Sequence, residues 1–185
     1  KVGDELIAGA SGDPLTIQLD PGLEFGADTT PVSEQGVMQE PVKLVDRNRV
    51  VSTSTDKRYA DYLGTRPTTV RVNVVVEPGK LSHEELTKFG PQVIEILQFS
   101  GLFADPNSGT FSSEIRLARL YDNKSGKTTY LKGGSLSGSF NENFKGARLS
   151  NDRVKQAHFS SGSTVGQGYY GPSYALLSDV SIVGD

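Results

Sequence analysis

The sequence predicts a mainly β domain of the α+β type, with antiparallel β-sheets in a sandwich or barrel-like arrangement and two short helices. Three observations carry that expectation. Gly is abundant, 21 of 185 residues, and 9 Pro accompany it, which suits short strands joined by tight turns better than a helix bundle. Several segments alternate apolar and polar side chains, the period of a strand buried on one face. Only two segments carry helix-capping chemistry.

Leu15-Thr16-Ile17-Gln18-Leu19 alternates as a half-buried strand should, and Asp20-Pro21-Gly22 turns the chain after it. Ser33-Glu34-Gln35-Gly36-Val37 is a second turn. Residues 41–46 form another alternating strand, and Asp46-Arg47-Asn48-Arg49 bends it back into Val50-Val51-Ser52. Ser54 or Thr55 caps a first helix that runs from Asp56 to Leu63 and stops at Gly64. Residues 69–76, TVRVNVVV, form the clearest strand, ended by Glu77-Pro78-Gly79. Ser82-His83-Glu84-Glu85 fits a capping box and opens the second helix, which must end before Pro91.

Residues 93–99, 113–121 and 128–132 are compatible with antiparallel strands, the last two joined by a hairpin loop at 122–127. Residues 148–159 form a loop or a short strand. A long Gly-rich loop follows at 162–172, and residues 174–183 close the chain as a final strand. No internal repeat or low-complexity linker interrupts the sequence, so residues 1–185 are expected to be one domain.

Composition excludes several function classes. The net charge is −3, from 19 basic and 22 acidic residues spread without a basic stripe, so no direct nucleic-acid partner is expected. No apolar run approaches the ~20 residues of a membrane-spanning helix, and no membrane association is expected. Cysteine is absent, which removes disulfides, thiolate nucleophiles and Cys-ligated metal from this chain. The chain begins at Lys1 rather than Met and is expected to be a fragment or a processed product.

Catalytic motifs are incomplete. A zinc peptidase helix needs two His one turn apart with a Glu beside them, but after His83-Glu84 the positions for a second His hold Thr87 and Lys88. His83 is expected to be an exposed first-turn residue, and His158 stands alone. Gly134-Ser135-Leu136-Ser137-Gly138 has the spacing of a nucleophile elbow, yet a long helix does not follow it and no His–acid pair is evident. The Gly-rich loop lacks the Lys-Ser/Thr ending of a phosphate loop.

More informative is the order of the Gly-rich landmarks. Lys132-Gly133-Gly134-Ser135-Leu136-Ser137-Gly138-Ser139-Phe140 precedes Arg148-Leu149-Ser150-Asn151-Asp152, then Gly166-Gln167-Gly168, Gly171-Pro172-Ser173 and Val180-Ser181-Ile182-Val183-Gly184. Upstream stand Gly3-Asp4-Glu5-Leu6-Ile7, Val76-Glu77-Pro78-Gly79 and Ser108-Gly109-Thr110-Phe111-Ser112. This ordered set resembles the C-terminal domain of the TldD/PmbA family (modulator of DNA gyrase, peptidase U62), across essentially the whole chain.

The resemblance implies a metal-dependent peptidase of two related subunits, whose zinc-binding His-Glu-x-x-x-His helix lies upstream of this domain. It also implies a Cys ligand near the Gly-Gln loop in metal-bearing members, where this chain has Ser160-Ser161-Gly162-Ser163-Thr164. Hydroxyls do not replace a thiolate as a strong zinc ligand. No cofactor is therefore expected in this chain, zinc only in metal-bearing members or a partner, and no catalysis by this chain alone. The expected partners are a related subunit, in a homo- or heterodimer, and an extended peptide substrate. Ser137, Gly138, Asn151, Gln167 and Gly168 are the candidate peptide-binding residues. The resemblance favours a cytoplasmic setting. The alternatives are a stand-alone β-sandwich that binds carbohydrate or a protein, with Tyr169 and Tyr170 for sugar stacking, and a serine hydrolase using Ser137.

Overall fold

The computed structural model describes residues 1–158 and 167–184. The chain forms two compact units, each built from separate stretches. One comprises Lys1–Leu6, Pro14–Gly79 and Asp152–Ser173, and the other Ile7–Asp13, Lys80–Asn151 and Tyr174–Asp185. Strands and helices are numbered along the chain.

The first unit holds a six-stranded sheet. Its centre is β1 (Ile17–Asp20), antiparallel to β2 (Val42–Asp46) on one side and β4 (Asn73–Val76) on the other. The Asp20 side chain accepts the Gly22 N–H at 2.8 Å, closing the turn after β1. β2 turns back into β3 (Arg49–Val50), with Asp46 paired to Arg49. Arg47 and Asn48 between them have φ of 49° and 68°, the geometry of a two-residue hairpin turn matched to strand twist.

Helix α1 (Lys57–Leu63) is capped by the Asp56 carboxylate, which accepts the Tyr59 N–H at 2.9 Å, and it stops at Gly64 with φ 66°. The cap is thus Asp56 rather than Ser54 or Thr55, whose polar groups serve links to Thr69 and Thr68. The run at 69–76 pairs as a strand only from Asn73, because Arg71 adopts a left-handed φ of 50°. The earlier part is buried all the same: Thr69 and Val72 are enclosed, and the Thr69 hydroxyl bonds the Glu40 backbone.

The sheet is completed by β10 (Arg153–His158) and β11 (Gln167–Pro172), antiparallel to each other. β11 then joins β4 in parallel, Tyr169 opposite Val74. Residues 167–172, expected as loop, are therefore strand. Their glycines serve close packing: a Cβ on Gly171 would come within 2.6 Å of the Tyr169 hydroxyl and 3.0 Å of Val76 Cβ. Residues 162–166 of the expected loop lie outside the described residues.

In the second unit, α2 (His83–Thr87) begins with the capping box expected at Ser82, both halves of it formed. A long hairpin follows, β5 (Gln92–Asp105) against β6 (Thr110–Asp122), with register shifts between Ile96 and Leu102. β7 (Lys127–Leu131) returns from the expected loop, Asp122 opposite Lys127. β8 (Ser135–Ser139) pairs β6 further along, and the sheet order is β13-β8-β6-β5, where β13 is Ser181–Val183. A small second sheet joins β9 (Arg148–Leu149) to β12 (Ala175–Leu176). The closing segment is thus two short strands rather than one, since Asp179 takes a left-handed φ of 58° between them.

A third helix, α3 (Phe140–Asn143), is a single turn that no capping signal announces. The unit's core gathers Ile115, Ala118 and Leu136, with Ile94, Ile96, Phe111, Leu131 and Val180 packed on it. Burying a side chain such as Leu136 contributes about 1.5–3 kcal/mol. The chain is mainly β, its sheets predominantly antiparallel and open rather than closed into barrels.

Candidate functional site

The Gly-Ser-Leu-Ser-Gly segment owes its shape to strand alternation. Leu136 turns into the core while Ser137 stays exposed. Ser137 lies in a regular ladder, opposite Ser112 on β6 and Ser181 on β13, and Ser112 in turn faces Phe103 on β5. Laterally paired residues share a face, so Phe103, Ser112, Ser137 and Ser181 form one row across four strands. A ladder position differs from the sharp strand-to-helix turn that a nucleophile elbow requires.

Gly138 points the other way, towards the core. A Cβ there would come within 2.5 Å of the Phe111 ring and collide with the Asn143 side chain. Asn143 is itself buried: its Oδ1 accepts the Ser139 N–H at 2.6 Å and its Nδ2 donates to the Ser178 carbonyl at 2.8 Å. The glycine thus makes room for a side chain that ties β8, α3 and the 178 loop together. Around Ser137 and Gly138 opens a groove of about 740 Å³, lined also by Phe103, Asp105, Phe111, Glu142 and Asp179.

The other candidates lie elsewhere. Asn151 belongs to the same unit but serves a local link, its N–H donating to the Leu81 carbonyl at 2.8 Å and its Nδ2 reaching the Lys80 carbonyl at 3.5 Å. Gln167 and Gly168 belong to the other unit, on β11 opposite His158 and Ala157. Gly168 is buried directly against Asn73, and a Cβ there would overlap the Asn73 amide oxygen. Of the five candidates, the groove thus brings together Ser137 and Gly138.

Sequence reasoning missed a polar cluster on the second unit. His83 Nε2 lies 2.9 Å from Glu95 Oε1, and the imidazole stacks on Tyr174 at 4.1 Å. Tyr121 donates to Glu95 Oε2 at 2.7 Å, and Arg119 donates to the Tyr121 and Tyr130 hydroxyls at 2.9 and 3.2 Å. Burial and the adjacent Glu95 carboxylate raise the Tyr121 hydroxyl above its ordinary value. His83 is therefore a partly covered anchor of α2 rather than a freely exposed residue. The cluster residues are scattered over four elements and the segment ahead of β12, so no spacing announces them.

A zinc site needs three or four convergent ligands. Among the described residues no three His, Cys, Asp or Glu side chains gather in that way, and the chain has no Cys. The donor set at His83 is one imidazole on one carboxylate, the rest of the cluster being hydroxyls and a guanidinium, which does not suit zinc. No helix among the described residues is long and apolar enough to cross a membrane.

Comparison with known proteins places this fold. Residues 6–184 match the family model described as PmbA/TldA metallopeptidase C-terminal domain. No curated protein sequence matches the chain significantly. Among solved structures, TldE from Thermococcus kodakarensis superposes with a TM-score of 0.77 at 19% identity, covering 100% of this chain and 42% of its own. A modulator of DNA gyrase from Thermotoga maritima gives 0.74 at 21% identity, covering 99% and 41%. One from Bacteroides thetaiotaomicron gives 0.72 at 20%, covering 98% and 39%. The chain thus spans about two fifths of the length of these relatives, and at such identity they speak to fold alone. The family match extends over nearly every residue, and on it the chain belongs to the TldD/PmbA family, as that family's C-terminal domain.

Proposed function

We propose that this chain is the C-terminal domain of the metal-free partner subunit in a TldD/PmbA-type proteolytic complex, and that it handles extended peptides rather than cleaving them. The carrying observation is a family match to residues 6–184 in a chain that offers no Cys. The described residues supply no ligand cluster either. The metal chemistry of the complex then belongs to a related, metal-bearing subunit.

Peptide handling by such a domain uses backbone hydrogen bonds and shallow side-chain pockets. The groove beside Ser137 and Gly138 offers the exposed Phe103 ring as a wall, and Phe103 belongs to β5, which among the described residues has no strand beyond it. Ser137 acts here as a hydrogen-bonding hydroxyl and not as a nucleophile. Asn151, Gln167 and Gly168 remain further candidates for the same role.

The test is metal analysis and a peptide-cleavage assay on the full-length protein, alone and mixed with a metal-bearing relative. The expected result is no bound zinc and no cleavage alone, with cleavage in the mixture above that of the relative by itself. Stoichiometric zinc in this protein, or cleavage by it alone, would overturn the assignment.

A further inference from the structure

The groove beside Ser137 has a distinct charge pattern. Phe103 and Phe111 line it from opposite faces of the sheet, together with Asp105, Glu142 and Asp179, and among the described residues no Lys or Arg does. Glu142 is matched by Lys145 Nζ at 2.7 Å, so the negative surplus rests on Asp105 and Asp179. The Ser108 hydroxyl at 2.7 Å and the Asn107 N–H at 2.9 Å hold the Asp105 carboxyl below its ordinary value, which keeps it ionised through the neutral range.

The wall that carries Phe103 is also a free sheet edge. Among the described residues β5 has no strand beyond it. Residues 96–104 contain neither charge nor Pro, the features that usually protect such an edge from pairing. The register shifts of β5 end at Leu102, and from Leu102 to Asp105 its pairing with β6 is regular. This regular stretch includes the groove-lining residues, and Phe103 there is 74% exposed. A free edge, the exposed Phe103 ring and two carboxylates that no cation among the described residues matches together select for backbone, apolar surface and positive charge.

We infer that this groove takes an extended polypeptide segment that lays an apolar side chain against Phe103 and a Lys or Arg side chain at Asp105 and Asp179. The inference rests on the peptide-handling reading above and narrows its substrate class to apolar–cationic sequences. Recognition is by an ion pair at an open site, so the discrimination is modest and sensitive to salt.

The experiment measures binding of a short fluorescent peptide of alternating Leu and Lys to the full-length protein, beside the same peptide with every Lys replaced by Gln. The Lys peptide should bind about three- to fivefold more tightly at low salt, and the gap should close at high salt. The double variant Asp105→Asn, Asp179→Asn should bring the Lys peptide to the affinity of the Gln peptide. Asn keeps the acceptor that the 105 turn uses and tolerates the left-handed backbone at 179, and an unchanged melting temperature verifies the fold. Phe103→Ser, at an exposed position, should weaken both peptides. Equal affinity for the two peptides, no binding of either, or binding unchanged in the folded variants would overturn the inference. If cleavage in the mixed complex persists in that case, the groove assignment fails alone; if the mixture shows no added cleavage, the partner-subunit reading fails as well.

Discussion

Asn73 shows how a single buried polar side chain organises its surroundings. It is completely enclosed. Its Oδ1 accepts the Asp28 N–H at 3.0 Å, while its Nδ2 donates to the Asp20 carbonyl at 3.1 Å and the Thr29 hydroxyl at 3.2 Å. Gly26 and Gly168 both press their backbones on this amide, leaving no space for a Cβ at either position. That is why Gly168 reads as a loop glycine in sequence but works as a packing residue. That Ser137 and Gly138 sit side by side on one strand is readable because a Ser–Leu–Ser–Gly alternation is local. That Phe103, Asp105 and Asp179 lie beside them is not, because the register of β5 and the bend ahead of β13 bring them there. The same loop supplies a pH-dependent prediction. Burial pushes the Asp28 carboxyl above its ordinary 3.8, opposed in part by the hydrogen bond from Thr30. A carboxyl raised in the folded state binds its proton more tightly there, so stability falls as pH climbs from the unfolded value through the folded one. Asp28→Asn should therefore raise the melting temperature at neutral pH, with the gain shrinking as pH drops through the acidic carboxylate range. A gain independent of pH between 3 and 7, about the span over which such a carboxyl titrates, would contradict that origin.

At the scale of elements, chemistry confined to a few neighbouring residues was readable, and backbone states chosen by packing were not. The Ser82–Glu85 box, the Gly64 stop and the turn at 46–49 each follow from side chains within a few positions. The failures at 69–72 and 174–183 share one cause, a non-glycine residue in the left-handed region, Arg71 or Asp179. Alternation does not reveal such a break. α3 escaped because one turn has too few residues for a helical period, and it is tied down from far along the chain, the buried Asn143 amide donating to the Ser178 carbonyl at 2.8 Å. The capping box is the element feature most open to measurement. Ser82 Oγ accepts the Glu85 N–H at 3.3 Å, and the Ser82 N–H donates to Glu85 Oε2 at 2.8 Å. Ser82→Ala should lower unfolding stability by about 1 kcal/mol, and Ser82→Asp should restore most of it. Denaturant midpoints decide: equal losses for Ala and Asp would show that the cap is not what Ser82 contributes.

For the molecule as a whole, the consequential fact is that both units are assembled from discontinuous stretches. The chain passes between them at Leu6/Ile7, Asp13/Pro14, Gly79/Lys80, Asn151/Asp152 and Ser173/Tyr174. The last stretch contributes only short pieces, yet each completes something built earlier. β13 covers the edge of β8, and β12 pairs β9. Tyr174 stacks on His83 and accepts the Ser150 N–H at 2.9 Å, and the Ser178 carbonyl accepts the buried Asn143 amide. Removing residues 174–185 would leave that amide without its acceptor, at about 1–3 kcal/mol for this group alone, and would strip Val180 from the core around Leu136. The six-stranded sheet of the other unit uses none of these residues. A chain truncated after Ser173 should therefore lose amide protection first at β8 and α3 while keeping it at β1 and β4, as local opening follows the loss of buried contacts. Hydrogen exchange measured residue by residue distinguishes this from uniform loss across both sheets. Uniform loss would mean that the units unfold as one body and that the tail supports both.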